Sequence, residues 1–270
     1  MQKRTAFVIL TKMNVYIILS ICFLPFLLCF FLFKLLFKTK FSVEFIAGLL
    51  GLAAVLPISF LQFILTDYLS SNSAVNPGLF VRFMVFNGII EEGLKALLLI
   101  FLPVKKIKFN DFFTAALLSG LCLGCFESMI YVLQHMQKTN TAASELIYQI
   151  LLIRIFSADI VHTLCAGLGG LFIYSCKTKQ LDTTALLFSI LVHGIYDFFV
   201  YFDNSIRFFA VVAILFAVIE CRIHYERLKP LEAYKKQDRP AADNADKTVE
   251  SALREAPTLF TKIRKSGNKK

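Results

Sequence analysis

Long apolar stretches separated by short polar segments make up most of this chain. Several stretches approach or exceed the roughly 20 residues that a helix needs to cross the hydrocarbon core of a bilayer. Only helices and closed barrels satisfy backbone polar groups in lipid, and continuous apolar stretches rather than ten-residue alternation favour helices. We therefore predict an all-α polytopic helical membrane bundle with about seven, or eight, transmembrane helices. The predicted spans are residues 13–37, 42–65, 79–102, 112–134, 146–175, 184–202 and 205–223.

The chain is expected to divide into a transmembrane domain, residues 1–223, and a basic tail, residues 224–270. The tail combines prolines with mixed charge, so we expect it to be flexible. The fifth span is long enough to be tilted or broken, and the first is too long for a cleaved signal. All seven cysteines lie in or beside apolar stretches, which favours packing over a disulfide framework.

The distribution of charge along the chain predicts how the chain is oriented in the membrane. The chain is 57% hydrophobic with a net charge of +10, and its lysines cluster after predicted spans one, three and five. By the positive-inside rule those loops and the tail are cytoplasmic, and the positive charge indicates orientation and anionic lipid rather than nucleic acid. The N-terminal Lys3, Arg4 and Lys12 would then face outside. An eighth crossing or a re-entrant first segment would remove that conflict.

Two adjacent carboxylates and a lysine lie inside the third predicted span: Glu91, Glu92 and Lys95. A single charged residue at a helix centre costs about 2.5–3.5 kcal/mol on insertion scales, so such residues are candidates for function. Lys95 follows the two glutamates by four and three residues, within reach of at least one on a helix. The alternative interpretation is a buried salt bridge that only holds helices together.

Further ionisable residues fall at similar depth on three other predicted helices: Glu127, His162 and His193. Glu127 lies about one turn from the middle of its span and the histidines lie near the middle of theirs. A water-filled site between helices requires such a common depth, whereas unrelated structural polar residues do not. The alternative is a buried polar network that serves helix association.

Spacing within the helices supplies supporting residues. Tyr131 follows Glu127 by four, so the phenol shares a face with that carboxylate, and Gly120 with Gly124 predicts close helix packing. Asp197 follows His193 by four and can orient its imidazole or join it as a metal ligand. Asp159, three residues before His162, could hold the second ring nitrogen. Arg154 lies two turns before His162, where it could neutralise a carboxylate or bind a substrate carbonyl.

Carboxylates and histidines in one membrane cavity suit activation of water for amide hydrolysis. In one version Glu91 or Glu92 is the general base and a histidine or arginine stabilises the oxyanion. In the other, His162, His193 and Glu127 hold Zn²⁺ beside a separate glutamate base. The residues alone do not decide between a zinc cofactor and none. A non-enzymatic proton-coupled transporter would also use intramembrane carboxylates.

Four short motifs carry a family resemblance. They are EEGLK at 91–95, FESMIY at 126–131, Arg154 followed by His162 and Gly170, and HGIYD at 193–197. Together they resemble the PrsW family of bacterial intramembrane proteases, within the superfamily that includes the type II CAAX prenyl endopeptidases. The CAAX branch usually has FxxxH in its second motif, where this chain has Glu127 and Tyr131, so PrsW is favoured.

The resemblance implies a multi-pass protease of the bacterial cytoplasmic membrane, with its motif-bearing core at residues 79–202. It implies an active site of Glu91, Glu92, Glu127, His162 and His193. The substrate class it implies is a single-span membrane protein such as a membrane-anchored anti-sigma factor, cut on its extracytoplasmic side. A CAAX-type protease of lipidated or bacteriocin-like peptides is the alternative enzyme. We predict that Glu→Gln changes at 91 and 92 abolish cleavage without loss of folded protein.

Overall fold

A computed structural model describes residues 15–71, 77–103, 107–139, 144–178, 181–202 and 205–229. Within these ranges the regular structure is entirely helical, which confirms the predicted all-α class. The elements in chain order are α1 (Val15–Phe37), α2 (Phe41–Ser71), α3 (Leu79–Phe83), a π-helical segment (Met84–Glu92), α4 (Gly93–Leu99), α5 (Phe109–Thr139), α6 (Ser144–Ile155), α7 (Ala158–Lys177), α8 (Thr183–Val200), a 3₁₀ turn (Ser205–Phe208) and α9 (209–225).

Five helical stretches among the described residues are long and apolar enough to cross a membrane, as expected for a polytopic membrane protein. The other two predicted spans, 79–102 and 205–223, also coincide with helical residues. The first of these carries Arg82, Glu91, Glu92 and Lys95, more charge than an ordinary membrane helix tolerates. The five stretches are Tyr16–Phe37, Phe41–Ser71, Phe109–Gln137, Ile147–Lys177 and Thr183–Val200.

The fifth predicted span is broken, as its length allowed. α6 ends at Ile155, a turn covers Phe156 and Ser157, and α7 begins at Ala158. With 20 residues α7 is about 30 Å long, enough to cross the hydrocarbon core by itself. The predicted long span is therefore two helices, and the break between them lies about one turn before His162.

The third span contains a feature that the sequence pattern did not indicate. Between α3 and α4 the helix widens into nine residues of π-helix, Met84–Glu92, which end on the two glutamates. π-Helical turns are rare and often occur at functional sites. Here the wider turn changes the directions in which Glu91 and Glu92 leave the helix.

Helix α5 packs against α7 and α2 at backbone distance. A Cβ atom on Gly120 would lie 2.2 Å from the carbonyl oxygen of His162, and one on Gly51 would lie 2.1 Å from that of Ser119. No side chain fits at either position, so glycine sets the helix spacing. The predicted small-residue strip on α5 is thus a close contact with the helix that carries His162.

One end of the bundle, which we call the basic end, gathers segments after the third and fifth predicted spans. Lys177 at the end of α7 donates to the carbonyl oxygens of Ile100 and Leu102, the latter at 3.0 Å. The rings of Phe109 and Tyr174 lie 4.8 Å apart at the same end. The described helix ends beside two of the loops that the positive-inside rule assigns to one side of the membrane therefore lie together.

The chain divides into two units, residues 1–225 and residues 226–270. In the second unit the structure describes residues 226–229, which are helical. The predicted flexible tail beyond residue 229 lies outside the described residues, as do Lys3, Arg4 and Lys12. All seven cysteines are free, in agreement with their interpretation as packing residues.

Candidate active site

Glu91 and Glu92 are adjacent in sequence but face different surroundings. Glu92 is 1% exposed, forms an ion pair with Lys95 and accepts a hydrogen bond from Ser189 at 2.9 Å. Glu91 is 8% exposed and lies 3.4 Å from the Lys95 ammonium. One of its oxygens, Oε1, is buried and makes no hydrogen bond within the described part of the chain. Glu92 is thus fully engaged, whereas Glu91 keeps a lone pair available.

His162 from α7 joins two carboxylates through its two ring nitrogens. Nδ1 lies 3.1 Å from Oε1 of Glu91 and 3.4 Å from the Lys95 ammonium. Nε2 lies 2.5 Å from Oε2 of Glu127 on α5. The ring therefore connects the π-helical segment to α5.

His193 from α8 repeats this arrangement. Its Nδ1 contacts Glu92 and lies 3.9 Å from Oε1 of Glu91, while its Nε2 lies 3.2 Å from Oδ2 of Asp197. The two imidazole rings are 4.8 Å apart and nearly perpendicular. Nε2 of each histidine thus faces an outer carboxylate, whereas Nδ1 faces Glu91 in His162 and Glu92 in His193.

Glu91, His162 and His193 could together hold a metal ion. One ligand atom from each lies within 4.8 Å of the others, and all three residues are buried. Two imidazoles and a carboxylate form a common ligand set of catalytic zinc. Metal-binding histidines usually give their second nitrogen to a carboxylate, the role that Glu127 and Asp197 have here. The donors and the unsatisfied Oε1 of Glu91 therefore fit a divalent cation.

The sequence prediction used Glu127 as the third ligand. In the structure Glu127 contacts the outer nitrogen of His162, and Glu91 occupies the inner position beside both Nδ1 atoms. The Glu127 side chain is 49% exposed, in contrast to the buried inner carboxylates. Glu127 is thus the site carboxylate most open to its surroundings.

Arg154 at the end of α6 lies over the same carboxylate. Its Nη2 is 3.4 Å from Oε2 of Glu127, and its guanidinium lies 4.7 Å from the ring centre of Tyr131. Its Nε donates a hydrogen bond to Ser128 at 3.0 Å. The expected neutralising role of Arg154 is therefore met in the geometry, and Tyr131 supports the guanidinium beside Glu127.

The predicted contact between Asp159 and the second nitrogen of His162 is wrong. The carboxylate of Asp159 accepts a hydrogen bond from Ser128 at 2.8 Å, and Glu127 takes the position beside His162. The reason is the direction of the side chains at the start of α7. Asp159 points at the face of α5 where Gly124 leaves room.

Three polar residues of the site were missed from the sequence: Asn87, Ser128 and Ser189. Asn87 donates a hydrogen bond to Asp197 at 2.6 Å, and Ser189 donates both to Glu92 and to the carbonyl of Cys165. Asn87 precedes Glu91 by four residues and Ser189 precedes His193 by four. The spacing used to find Tyr131 and Asp197 could have found these two as well.

A comparison with protein families covers the part of the chain that contains these residues. Residues 40–220, about two thirds of the chain, match the family model described as PrsW family intramembrane metalloprotease. No curated protein and no solved structure matches the chain. The matched region contains all the residues of the site.

Proposed function

Since the chain belongs to the PrsW family of intramembrane metalloproteases, we propose that it hydrolyses a peptide bond of a single-span membrane protein. The observation that carries this is the convergence of Glu91, His162 and His193 between apolar helices. The resemblance makes an anti-sigma-factor-like protein of the bacterial cytoplasmic membrane the expected substrate. The same resemblance implies cleavage on the extracytoplasmic side of the membrane.

Glu91, His162 and His193 are the residues that would hold Zn²⁺ or a similar divalent cation. Such an ion would supply Lewis-acid polarisation of the scissile carbonyl and of the attacking water. Glu127 and Asp197 would accept the Nε2–H groups of the two rings, so that Nδ1 of each could bind the ion. The protein would thereby fix the tautomer and the orientation of both imidazoles. His193 would have to exchange the contact of its Nδ1 with Glu92 for the ion.

Glu127 is the best candidate for the general base. The sequence expectation was Glu91 or Glu92, but those side chains are 8% and 1% exposed against 49% for Glu127. The oxygen of Glu127 that does not contact His162, Oε1, would take a proton from the water that attacks the carbonyl carbon. The same oxygen would then return that proton to the leaving nitrogen.

Arg154 is the proposed oxyanion donor. Its Nη2 is buried and, beyond the ion pair with Glu127, makes no hydrogen bond to the described residues. A donor in that position can bind the carbonyl oxygen as negative charge develops on it. Ser128 and Tyr131 would keep the guanidinium in place during the reaction.

Glu92, Lys95 and Ser189 are proposed as positioning residues. Lys95 lies between Glu91, Glu92 and His162, so its charge offsets part of the cost of burying the carboxylates. Ser189 anchors the second oxygen of Glu92 to α8. This group would fix Glu91 in the direction of the two Nδ1 atoms.

The test is terminal-peptide mass spectrometry of host membranes that carry the wild type or the Glu91→Gln variant. With wild type alone, a single-span protein should lose its extracytoplasmic segment, which would identify substrate and cut site together. The variant must be present in folded form at comparable amount, measured by detergent size-exclusion chromatography. Identical termini in both membranes under several envelope stresses would contradict the proposal and favour a transport role.

A further inference from the structure

A cavity of about 210 Å³ adjoins the site between α2, the π-helical segment and α5. Glu91 and Glu127, two of the proposed reacting carboxylates, form part of its wall. The remainder of the wall is apolar on α5 and mixed on α2. The lining residues outside the site are Val55, Ile58, Ser59, Gln62, Asn87, Leu123, Phe126 and Ile130.

The cavity exists because α2 and α5 are in contact along one part of their length and separate along the next part. At Gly51 the two backbones meet directly, and Ile58 packs against Leu123 further along both helices. The helices therefore run in the same direction. Beyond Ile58 the residues of the two helices line the cavity instead of filling the gap between them.

Helix α2 forms one wall of this cavity. Leu56, next to the lining residue Val55, points about 100° away from it around α2 and is 77% exposed. A hydrogen bond from Gln62 to the carbonyl of Phe86, at 3.3 Å, joins α2 to the π-helical segment. A peptide entering between α2 and α5 would thus meet Gln62 and Asn87 before it reaches Glu91.

The size of the cavity limits what can occupy it. Its volume is below the roughly 300–1,000 Å³ of pockets that hold drug-sized ligands. It is about seven times the roughly 30 Å³ that one water occupies in the liquid. One large side chain fits, whereas a helical turn with its side chains does not.

We propose that this cavity is a substrate subsite that takes one large apolar side chain, of leucine or phenylalanine size, next to the scissile bond. Apolar walls at Val55, Leu123 and Phe126 favour such a side chain, and the amides of Gln62 and Asn87 can bind the peptide groups of an extended backbone. The inference rests on the proposed function, since it takes Glu91 and Glu127 as the reacting end of the cavity.

Two readouts on one probe test the subsite. The probe is a set of synthetic single-span Leu/Ala peptides in liposomes with purified full-length protein, carrying a diazirine analogue of leucine at successive positions. Mass spectrometry maps the photo-crosslinked residues of the protein and, in parallel, the cleaved bonds. We expect crosslinks to Val55, Leu123 or Phe126 when the label is next to the cleaved bond.

Val55 and its neighbour Leu56 provide matched variants. Val55→Phe narrows the cavity and should lower the rate of cleavage of peptides with Phe at the subsite position, relative to peptides with Ala there, by about tenfold or more. Val55→Ala should shift preference toward Phe. Leu56→Phe and Leu56→Ala, on the lipid face, should leave the preference unchanged.

The outcomes separate the two proposals. Crosslinks in the cavity without cleavage would overturn the proposed hydrolysis and leave the cavity as a binding site for an apolar side chain. Cleavage with crosslinks only on the lipid face of α2, or with equal effects of Val55→Phe and Leu56→Phe, would overturn the subsite and keep the protease. Melting temperatures of the four variants exclude misfolding as the cause.

Discussion

At the scale of single residues, the site depends on a charge balance around Lys95. This ammonium is fully buried and contacts Glu91, Glu92 and His162. A buried charge that loses its partner is far more costly than a buried pair that is replaced as a whole. The two glutamates should therefore respond differently to the same substitution.

Glu92→Gln should destabilise the protein, because it removes the negative charge that pairs with the buried Lys95. His193 and Ser189 contact the same carboxylate. Loss of one partner from a buried pair costs about 3–5 kcal/mol, so the melting temperature in detergent should fall clearly. Glu91→Gln should leave the melting temperature close to wild type and abolish cleavage. The double variant Glu92→Gln/Lys95→Met should regain much of the lost stability, and a double variant less stable than Glu92→Gln would contradict this account.

Asp197→Asn should weaken metal binding without unfolding the protein. The substitution weakens the acceptor for Nε2–H of His193 and leaves a side chain of the same shape beside Asn87. Loss of such an outer partner typically costs about 10–100-fold in metal affinity or activity. Competition with a zinc chelator measures the affinity, and the exposed Asp67→Asn serves as the control. Equal chelator sensitivity in both variants would remove Asp197 from the site.

At this scale, the sequence predicts contacts between residues on the same face of one helix, but not which residues meet across two helices. The i,i+4 pairs from Glu127 to Tyr131 and from His193 to Asp197 follow from helix geometry, and depth in the span brought His162 close to Glu91. The partner of Asp159 did not follow, because the rotation of α7 against α5 decides which residue faces the imidazole. Single-residue spacing contains no information on that rotation.

At the scale of elements, the contact of α5 with α7 determines the position of His162. Gly120→Ala would bring a methyl group to 2.2 Å from the His162 carbonyl oxygen, so the helices must separate. Overpacking of this kind costs about 1–3 kcal/mol, and displacement of His162 should reduce cleavage more than it reduces stability.

The matched control is Gly169→Ala on α7, whose added methyl group would make an ordinary 3.5 Å contact with Ala96. Thermal unfolding and cleavage assays on both variants check the prediction. Equal activity of the two alanine variants would show that the contact at Gly120 does not determine the site.

The π-helical segment could not be predicted from the pattern of apolar and polar residues. Its residues, Met84–Glu92, are ordinary apolar and polar residues within a long helical stretch, and α and π turns differ only by one residue in hydrogen-bond register. The close packing of Gly88 on the carbonyl of Ile190 is a tertiary contact, which the sequence pattern does not contain. The break at Phe156 could be expected from length alone.

At the scale of the whole molecule, the basic end can be located experimentally through Cys176. It is the exposed cysteine among seven that are otherwise buried or half-buried, and it is adjacent to Lys177. A membrane-impermeant maleimide should label it in inside-out vesicles and not in intact spheroplasts. Tyr201→Cys, in the segment after α8, should give the reverse pattern. Labelling of Cys176 from outside would invert the proposed orientation.

The number and order of the helices could largely be predicted, because the length of each apolar stretch shows whether it can cross the membrane as a helix. The third predicted span is helical but carries Arg82, Glu91, Glu92 and Lys95, so its apolar character alone identifies it less clearly than that of the other spans. The shape of the site depends on how the helices are arranged around α5, which no local pattern contains.

The bonds from Lys177 to the carbonyls of Ile100 and Leu102 have a consequence for the response to lipid. They fix the axial register between the helix of Glu91 and the helix of His162, at a point 15 residues after His162. Bilayers that are thicker or thinner than a helix normally induce tilt, and a fixed register lets the two helices tilt only together. Wild-type cleavage should therefore change little between lipids with 14-carbon and 20-carbon chains, whereas Lys177→Met should make activity depend on chain length.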